Sequence, residues 1–120
     1  MKRIALLGLL ALGACKSVVA APTGPAGFGQ LTAANGVQVR PLKLLEDSRC
    51  PATVQCVWAG QVRIRAQVTD QAGRKVREMT LGAPIPVSGG TLTLVDVQPP
   101  KLAPGTIGPG RYRFAFRFDR

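Results

Sequence analysis

The chain has 120 residues, which is room for one domain only. It carries 16 Lys and Arg against 6 Asp and Glu, a formal net charge of +10, and it has no histidine. The absence of histidine excludes Ser-His and Cys-His nucleophilic sites and histidine-based metal sites. The charge favours anionic partners such as lipid headgroups, lipopolysaccharide phosphates, acidic glycans or nucleic acid; alternatively, it only keeps a small β protein in solution.

The amino terminus has the pattern of an export signal. Lys2 and Arg3 precede an apolar run, Ile4 to Ala14, that is too short to span a bilayer. The run ends in Leu-Gly-Ala-Cys, which resembles the cleavage box of bacterial lipoproteins. We therefore expect a signal peptide over residues 1–14 and a lipid on Cys15, the first residue of the processed chain.

Two further expectations follow from the lipoprotein interpretation. By the lipoprotein sorting pattern, Lys16 directs the anchored protein to the outer membrane, where the lipid is its contact with the bilayer. The alternative is ordinary cleavage after Ala21, which would give a soluble secreted or periplasmic protein. That cut would place Pro22 directly after it, which is unfavourable for the peptidase.

The next segment predicts a linker. Residues 15–27 hold the lipidated cysteine followed by a stretch rich in proline and glycine, with little that could pack. We expect this stretch to be a flexible tether and residues 28–120 to form the domain.

The cysteine count predicts one disulfide. With Cys15 assigned to the lipid, Cys50 and Cys56 remain, and a pair in an exported protein is most simply oxidised. A bridge across so short a loop should stabilise the fold by about 2 kcal/mol. The spacing does not fit a zinc site or a thioredoxin-like redox pair, so we expect no metal and no cofactor.

From residue 28 onward every pattern is typical of strands. The turn signal Asn35-Gly36 separates segments 28–33 and 37–45, and residues 62–69 alternate apolar and polar side chains. Residues 75–81 and 91–97 are further strands. The last strand alternates most sharply, with Tyr112, Phe114, Phe116 and Phe118 on one side. These segments predict an all-β fold: a small antiparallel β-sandwich or partly closed barrel of about six to seven strands.

The segment "EDSRCPATVQCVWAG", residues 46–60, is the richest in chemical groups. Adjacent residues of a strand point to opposite faces, so Glu46 and Asp47 are poorly placed to act as a catalytic pair. We expect Asp47 to pair with Arg49, or to accept backbone hydrogen bonds, and so to fix the loop. Trp58 is two residues after Cys56, so on a continuous strand both side chains would point inward. We therefore expect Trp58 in the core, packed over the disulfide. Gly60 indicates a bulge or a close backbone approach.

The motif in residues 46–60 resembles one found in a group of exported bacterial proteins. The pattern E-D-S-R-C-P, four residues, then C-x-W-A-G followed by an alternating strand is similar to that of a group of small, uncharacterised bacterial secreted proteins and lipoproteins. The resemblance covers residues 28 to about 118. It implies a Cys50–Cys56 pair and an exported β domain, and it implies no activity.

The sequence favours two functional hypotheses. The first is an envelope lipoprotein without catalytic activity, whose domain binds or scaffolds an anionic component of the envelope, either glycan or lipid headgroups. The second is an inhibitor of an exported hydrolase or protease that acts through the Cys50–Cys56 loop. No catalytic residues and no specific nucleic-acid partner are expected. The candidate anion-binding residues are Arg40, Arg63, Arg65, Arg111, Arg113 and Arg117.

Overall fold

The computed structural model describes residues 22–120. The predicted signal peptide, Cys15 and residues 16–21 lie outside the described residues. Within them, the structure contains no helix long and apolar enough to cross a membrane. The elements are, in chain order, β1 (Thr32–Ala34), β2 (Val37–Asp47), β3 (Val62–Asp70), β4 (Gly73–Thr80), β5 (Ile85–Val87), β6 (Gly90–Gln98), a 3-10 helix (Pro109–Arg111) and β7 (Arg113–Asp119).

The strands form two antiparallel sheets, which confirms the predicted all-β class. One sheet has four strands in the order β1-β2-β3-β4, and the other has three in the order β5-β6-β7. The hairpin at Asn35-Gly36 is present, and both residues have positive φ, at 47° and 92°. After β4 the chain crosses from the four-stranded sheet to the three-stranded sheet. At this crossing the Gly82 amide donates to the Leu94 carbonyl at 2.8 Å.

The core lies between the two sheets and follows the alternation of the sequence. In β3, Val62, Ile64, Ala66 and Val68 are all buried, as the pattern predicts. On the facing sheet, the buried apolar residues come from β5, β6, β7 and the position just before β7. They are Val87, Leu92, Leu94, Val97, Tyr112, Phe114 and Phe118. Each large side chain removed from water stabilises the fold by about 2 kcal/mol.

Residues 22–27, which the sequence places in the tether, are part of the domain. The amides of Ala26 and Phe114 donate to each other's carbonyls at 2.9 and 2.8 Å, and Ala26 is buried. The Ala33 amide donates to the carbonyl of Pro22 at 2.8 Å. This segment contacts both β1 and β7, so it closes one side of the sandwich. Ala26 packs in the core where a flexible linker was expected, because the backbone groups of the segment find partners on both sheets.

Phe28 completes an aromatic group at this closed side. Its ring lies 5.0 Å from that of Phe114 and 5.9 Å from that of Tyr112, both in edge-to-face geometry. Tyr112 and Phe114 are stacked at 5.6 Å. Such aromatic pairs contribute beyond the area they bury. They fix the position of Tyr112, whose hydroxyl belongs to the site described next.

Candidate binding surfaces at one end and one face of the sandwich

A buried ionic cluster joins the two sheets at the end where β2 stops. Asp47 is the last residue of β2, and its side chain is 7% exposed. Arg49 donates to both carboxylate oxygens at 2.9 Å, and the Tyr112 hydroxyl donates to Asp47 Oδ2 at 2.6 Å. Arg49 also donates to the Val97 carbonyl in β6 at 3.3 Å. The predicted pairing of Asp47 with Arg49 is confirmed, and it links the loop to both sheets.

The electrostatics of the cluster keep Asp47 ionised. Burial acts to raise the pKa of Asp47, but the hydrogen bonds from Arg49 and Tyr112 and the Arg49 charge outweigh it and lower this pKa to about 2. Burial and the hydrogen bond to Asp47 together raise the pKa of Tyr112 to about 12. Both groups therefore hold one protonation state across the ordinary pH range. This is the behaviour of a structural cluster rather than of an acid-base pair.

Glu46 lies on the other face of the same strand, as adjacent positions require. Its partners are on the outer surface: Gln61 donates to Glu46 Oε2, and Arg63 lies 4.0 Å from the same oxygen. Glu46 and Asp47 therefore serve separate faces of the sheet. Among the described residues, no group of three or more Cys, Asp and Glu side chains is placed to hold a metal ion.

Beyond the cluster, residues 50–60 form a loop that we call the arch. Cys50 and Cys56 are bonded, with their Cα atoms 5.9 Å apart, so the predicted disulfide is confirmed. The base of the arch is held by backbone hydrogen bonds from Ser48 to Gln61 at 2.8 Å and from Cys50 to Ala59 at 3.2 Å. The disulfide crosses the loop above this base.

Gly60 is required at the base of the arch. Its φ is +71°, and a Cβ at this position would overlap the Ser48 carbonyl. Only glycine has both the conformational freedom and the space. The predicted close backbone approach at Gly60 is confirmed.

The prediction that Trp58 packs in the core is wrong. The indole is 81% exposed, and the neighbouring Val57 is 92% exposed. The parity argument assumed a continuous strand from Cys56 to Val62, but residues 56–60 form no strand. Alternation therefore does not extend through them. The core beside the arch is filled instead by Tyr112 and its partners.

A second loop accompanies the arch at the same end of the molecule. It runs from residue 99 to residue 112, between β6 and β7, and the Ala52 amide donates to the Lys101 carbonyl at 3.0 Å. Leu102 in this loop is 63% exposed, and Val54 in the arch is 44% exposed. Exposed large apolar side chains are thus concentrated in two joined loops.

The cationic residues predicted to bind anions do not form one surface. Arg40, Arg63 and Arg65 lie on the outer face of the four-stranded sheet, whereas Arg113 and Arg117 lie on the outer face of the other sheet. Arg111 ends the 3-10 helix. β3 and β7 belong to different sheets, so their arginines form no shared ladder. Alternation fixes the face of each strand but not the order of the strands.

The outer face of the four-stranded sheet, which we call the cationic face, holds two cations that the sequence did not indicate. Lys43 is opposite Arg65, and Arg74 is opposite Thr69. A register shift between Pro41 and Lys43 turns Lys43 outward, against the simple period of two. The charged members of this face are Arg40, Lys43, Arg63, Arg65, Arg74, Glu46 and Glu78.

Charge balance separates the two outer faces. The cationic face has five cations and two carboxylates, a net charge of +3. Arg63 uses both carboxylates, at 4.0 Å from Glu46 and 3.6 Å from Glu78. The outer face of the three-stranded sheet has two arginines and two aspartates, and Arg117 is paired with Asp119 at 2.8 Å. The surplus of positive charge is therefore on one side of the sandwich.

Comparison with protein-family models, with curated proteins and with solved structures finds no match to this chain. The resemblance of residues 46–60 to an exported group stays a prediction. The function has to be argued from the surfaces themselves.

Proposed function

We propose that the chain is an envelope lipoprotein without catalytic activity, anchored by a lipid on Cys15, whose β domain binds an anionic envelope component through the cationic face. The observation that carries this proposal is the direct opposition of Lys43 and Arg65 on adjacent strands. Like charges in opposed positions destabilise a sheet unless an anion lies between them. Glu78 is opposite Arg65 on β4, but its ion pair is with Arg63 at 3.6 Å, which leaves the positive charges of Lys43 and Arg65 only partly balanced.

The face also has the shape that a polyanion requires. Each of β2, β3 and β4 contributes at least one cation to this face, and Val76, which is 58% exposed, lies among them. Phosphate or sulfate groups spaced along an extended glycan would meet cations on successive strands. Arginine and lysine on such a face attract anions over about 8 Å at physiological salt.

A matched pair of variants tests this function. Lys43→Gln with Arg65→Gln removes two charges from the cationic face, and Arg113→Gln with Arg117→Gln removes two from the opposite face. On columns carrying lipopolysaccharide or a sulfated glycan, we expect the first variant to elute at clearly lower salt than the second. Equal elution would show that only net charge matters and would contradict a defined site. Circular dichroism on each variant checks that the fold is intact.

The anchor is tested separately. Replacing Cys15 with Ser should abolish the incorporation of labelled fatty acid into the chain, because the side chain that would carry the acyl group is then absent. Mass spectrometry of the wild-type chain should find acyl groups on Cys15 as the first residue. A wild-type chain cleaved after Ala21 would contradict the anchor and leave the cationic face untouched.

The second candidate is inhibition of an exported hydrolase or protease through the Cys50–Cys56 loop. Its support is the exposure of residues 52–56 within a closed disulfide ring. The shape of the loop favours it less, since the Val54 amide donates to the Pro51 carbonyl at 3.2 Å and makes a turn. Peptides that add to an enzyme cleft as a strand are extended. Incubation with exported proteases tests it: an inhibitor loop should stay intact while slowing the enzyme.

A further inference from the structure

The arch exposes large apolar side chains, and these take no part in the cationic face. Trp58 and Val57 are at 81% and 92% exposure, and Leu102 and Val54 add further apolar surface in the two joined loops. Soluble monomers seldom expose several large apolar side chains together, and such patches mark interaction sites. The disulfide and the hydrogen bonds at the base limit the conformations of the loop. Its apolar tip is therefore presented at low entropic cost on binding.

The charged side chains within the two loops have one sign. Residues 48–69 and 97–118 contain no Asp or Glu, so neither loop carries a carboxylate. Lys101, Arg111 and Arg113 lie in or beside the second loop, while the Arg49 charge is already matched by Asp47. Glu46 lines the same depression as Lys101, so this end of the domain has more cations than exposed carboxylates. An exposed apolar loop beside a surplus of cations is complementary to a bilayer interface, where acyl chains lie beneath anionic phosphates.

We propose that the arch docks on an anionic phospholipid surface, with Trp58 and Val57 entering the interface and Lys101 and Arg111 contacting phosphates. Tryptophan is enriched at this depth of a bilayer because its ring is apolar and its N–H is polar. The other residues of the arch carry no charge, so none of them would bring an ionised side chain into the interface. This inference concerns a different surface from the cationic face and does not depend on it.

The position of the arch bears on how the domain would lie. The described part of the chain begins at Pro22, whose carbonyl accepts a hydrogen bond from the Ala33 amide near the Asn35-Gly36 turn. The arch follows the other end of β2. Pro22 and the arch are thus at opposite ends of the four-stranded sheet. With the proposed lipid and the arch engaged on one membrane, the domain would lie along its surface.

The single tryptophan makes the test specific. Because the chain has one Trp, its fluorescence reports Trp58 alone. The probe is the full chain with Cys15→Ser, which carries no acyl group, mixed with vesicles of phosphatidylcholine alone or with phosphatidylglycerol added. We expect a blue shift and quenching by brominated acyl chains on the anionic vesicles. The apolar run at residues 4–14 contains no Trp and so does not contribute to this signal.

Variants separate the arch from the other surfaces. Val57→Ser keeps the reporter and should weaken anionic-vesicle binding about tenfold, and Lys101→Gln with Arg111→Gln should do the same. Lys43→Gln with Arg65→Gln should leave the Trp58 response unchanged, so failure of the arch and failure of the cationic face are distinguishable.

Three results would overturn the inference. The first is unchanged Trp58 emission while the chain sediments with anionic vesicles, which would assign binding to another surface. The second is an equal response on neutral vesicles, which would show that Lys101 and Arg111 do not contribute to binding. The third is burial of Trp58 only when envelope proteins are added, which would make the partner a protein.

Discussion

The segment from Glu46 to Gly60 divides into two parts with opposite environments. In residues 46–50, the Asp47 carboxylate is buried and bonded to Arg49 and Tyr112, and so joins both sheets. In residues 51–60, Val57 and Trp58 lie in solvent directly after Cys56, which is bonded to Cys50. One short motif therefore contains a structural cluster and an exposed tip. The comparison teaches that the first part maintains the fold and the second part is free to contact a partner.

The largest expected effect falls on the first part. Asp47→Asn removes the charge that matches Arg49, and it should lower the free energy of unfolding by about 3 kcal/mol, because an unpaired guanidinium then stays largely buried. Tyr112→Phe removes one hydrogen bond from the same cluster and should cost about 1 kcal/mol. Urea unfolding followed by circular dichroism measures both. A cost for Asp47→Asn no larger than that for Tyr112→Phe would argue against an ionic cluster.

The same cluster predicts an acid-dependent stability. The folded pKa of Asp47, about 2, is below its ordinary value of 3.8. A lowered carboxylate pKa stabilises the fold fully above the ordinary pKa, and this contribution is lost as the pH falls through the folded pKa. Between about pH 5 and pH 1 the wild type should lose about 2 kcal/mol from this group. Asp47→Asn should lack that part of the pH profile; if it keeps the full wild-type slope, another carboxylate is responsible.

The disulfide should contribute a comparable amount. Replacing both Cys50 and Cys56 by Ser opens a short ring and should cost about 2 kcal/mol through the entropy of the unfolded chain. Thermal melts of the two proteins, with identical buffers and no reductant, measure the difference. The native signal below the melt should remain all-β, because the arch lies outside the core. Loss of the β signal at room temperature would show that the arch is part of the folded core.

Gly60 and Gly82 provide a smaller and more selective test at the base of the arch. Both have positive φ, at 71° and 82°, but only at Gly60 would a Cβ meet the backbone. Ala at Gly82 should cost about 1 kcal/mol from backbone strain alone. Ala at Gly60 should cost at least about 1 kcal/mol more, because the Ser48 carbonyl must also move. Equal melting temperatures for the two variants would contradict the close approach.

The sequence predicted those parts of the fold that depend on residues close together in the chain, such as strand alternation and tight turns. Alternation in residues 62–69 identified the buried side of β3, and Asn35-Gly36 identified the first hairpin. It missed β5, because Pro84 and Pro86 interrupt the pattern; an edge strand tolerates proline where no hydrogen-bond donor is needed. Strand order is a property of the whole chain, so the division of the arginines between two sheets could not be foreseen.

The candidate sites were predicted in part for the same reason. Asp47 and Arg49 are two residues apart, so their pairing is a local feature that residue types indicate. Tyr112 joins them across 65 residues of sequence, and no local pattern carries that contact. The exposure of Trp58 was missed because residues 56–60 leave the strand geometry on which parity depends.

The exposure of Trp58 in the free protein tests the central claim most directly, and it corresponds to the smallest expected change in stability. Trp58→Ala should alter the free energy of unfolding by less than about 0.5 kcal/mol, as exposed positions do. Acrylamide quenching of the single tryptophan is the decisive measurement. The structure predicts emission like that of indole in water and quenching nearly as efficient as for a free tryptophan derivative. Blue-shifted emission protected from acrylamide in the native chain would place Trp58 in the core and contradict the division of the motif into a buried cluster and an exposed tip.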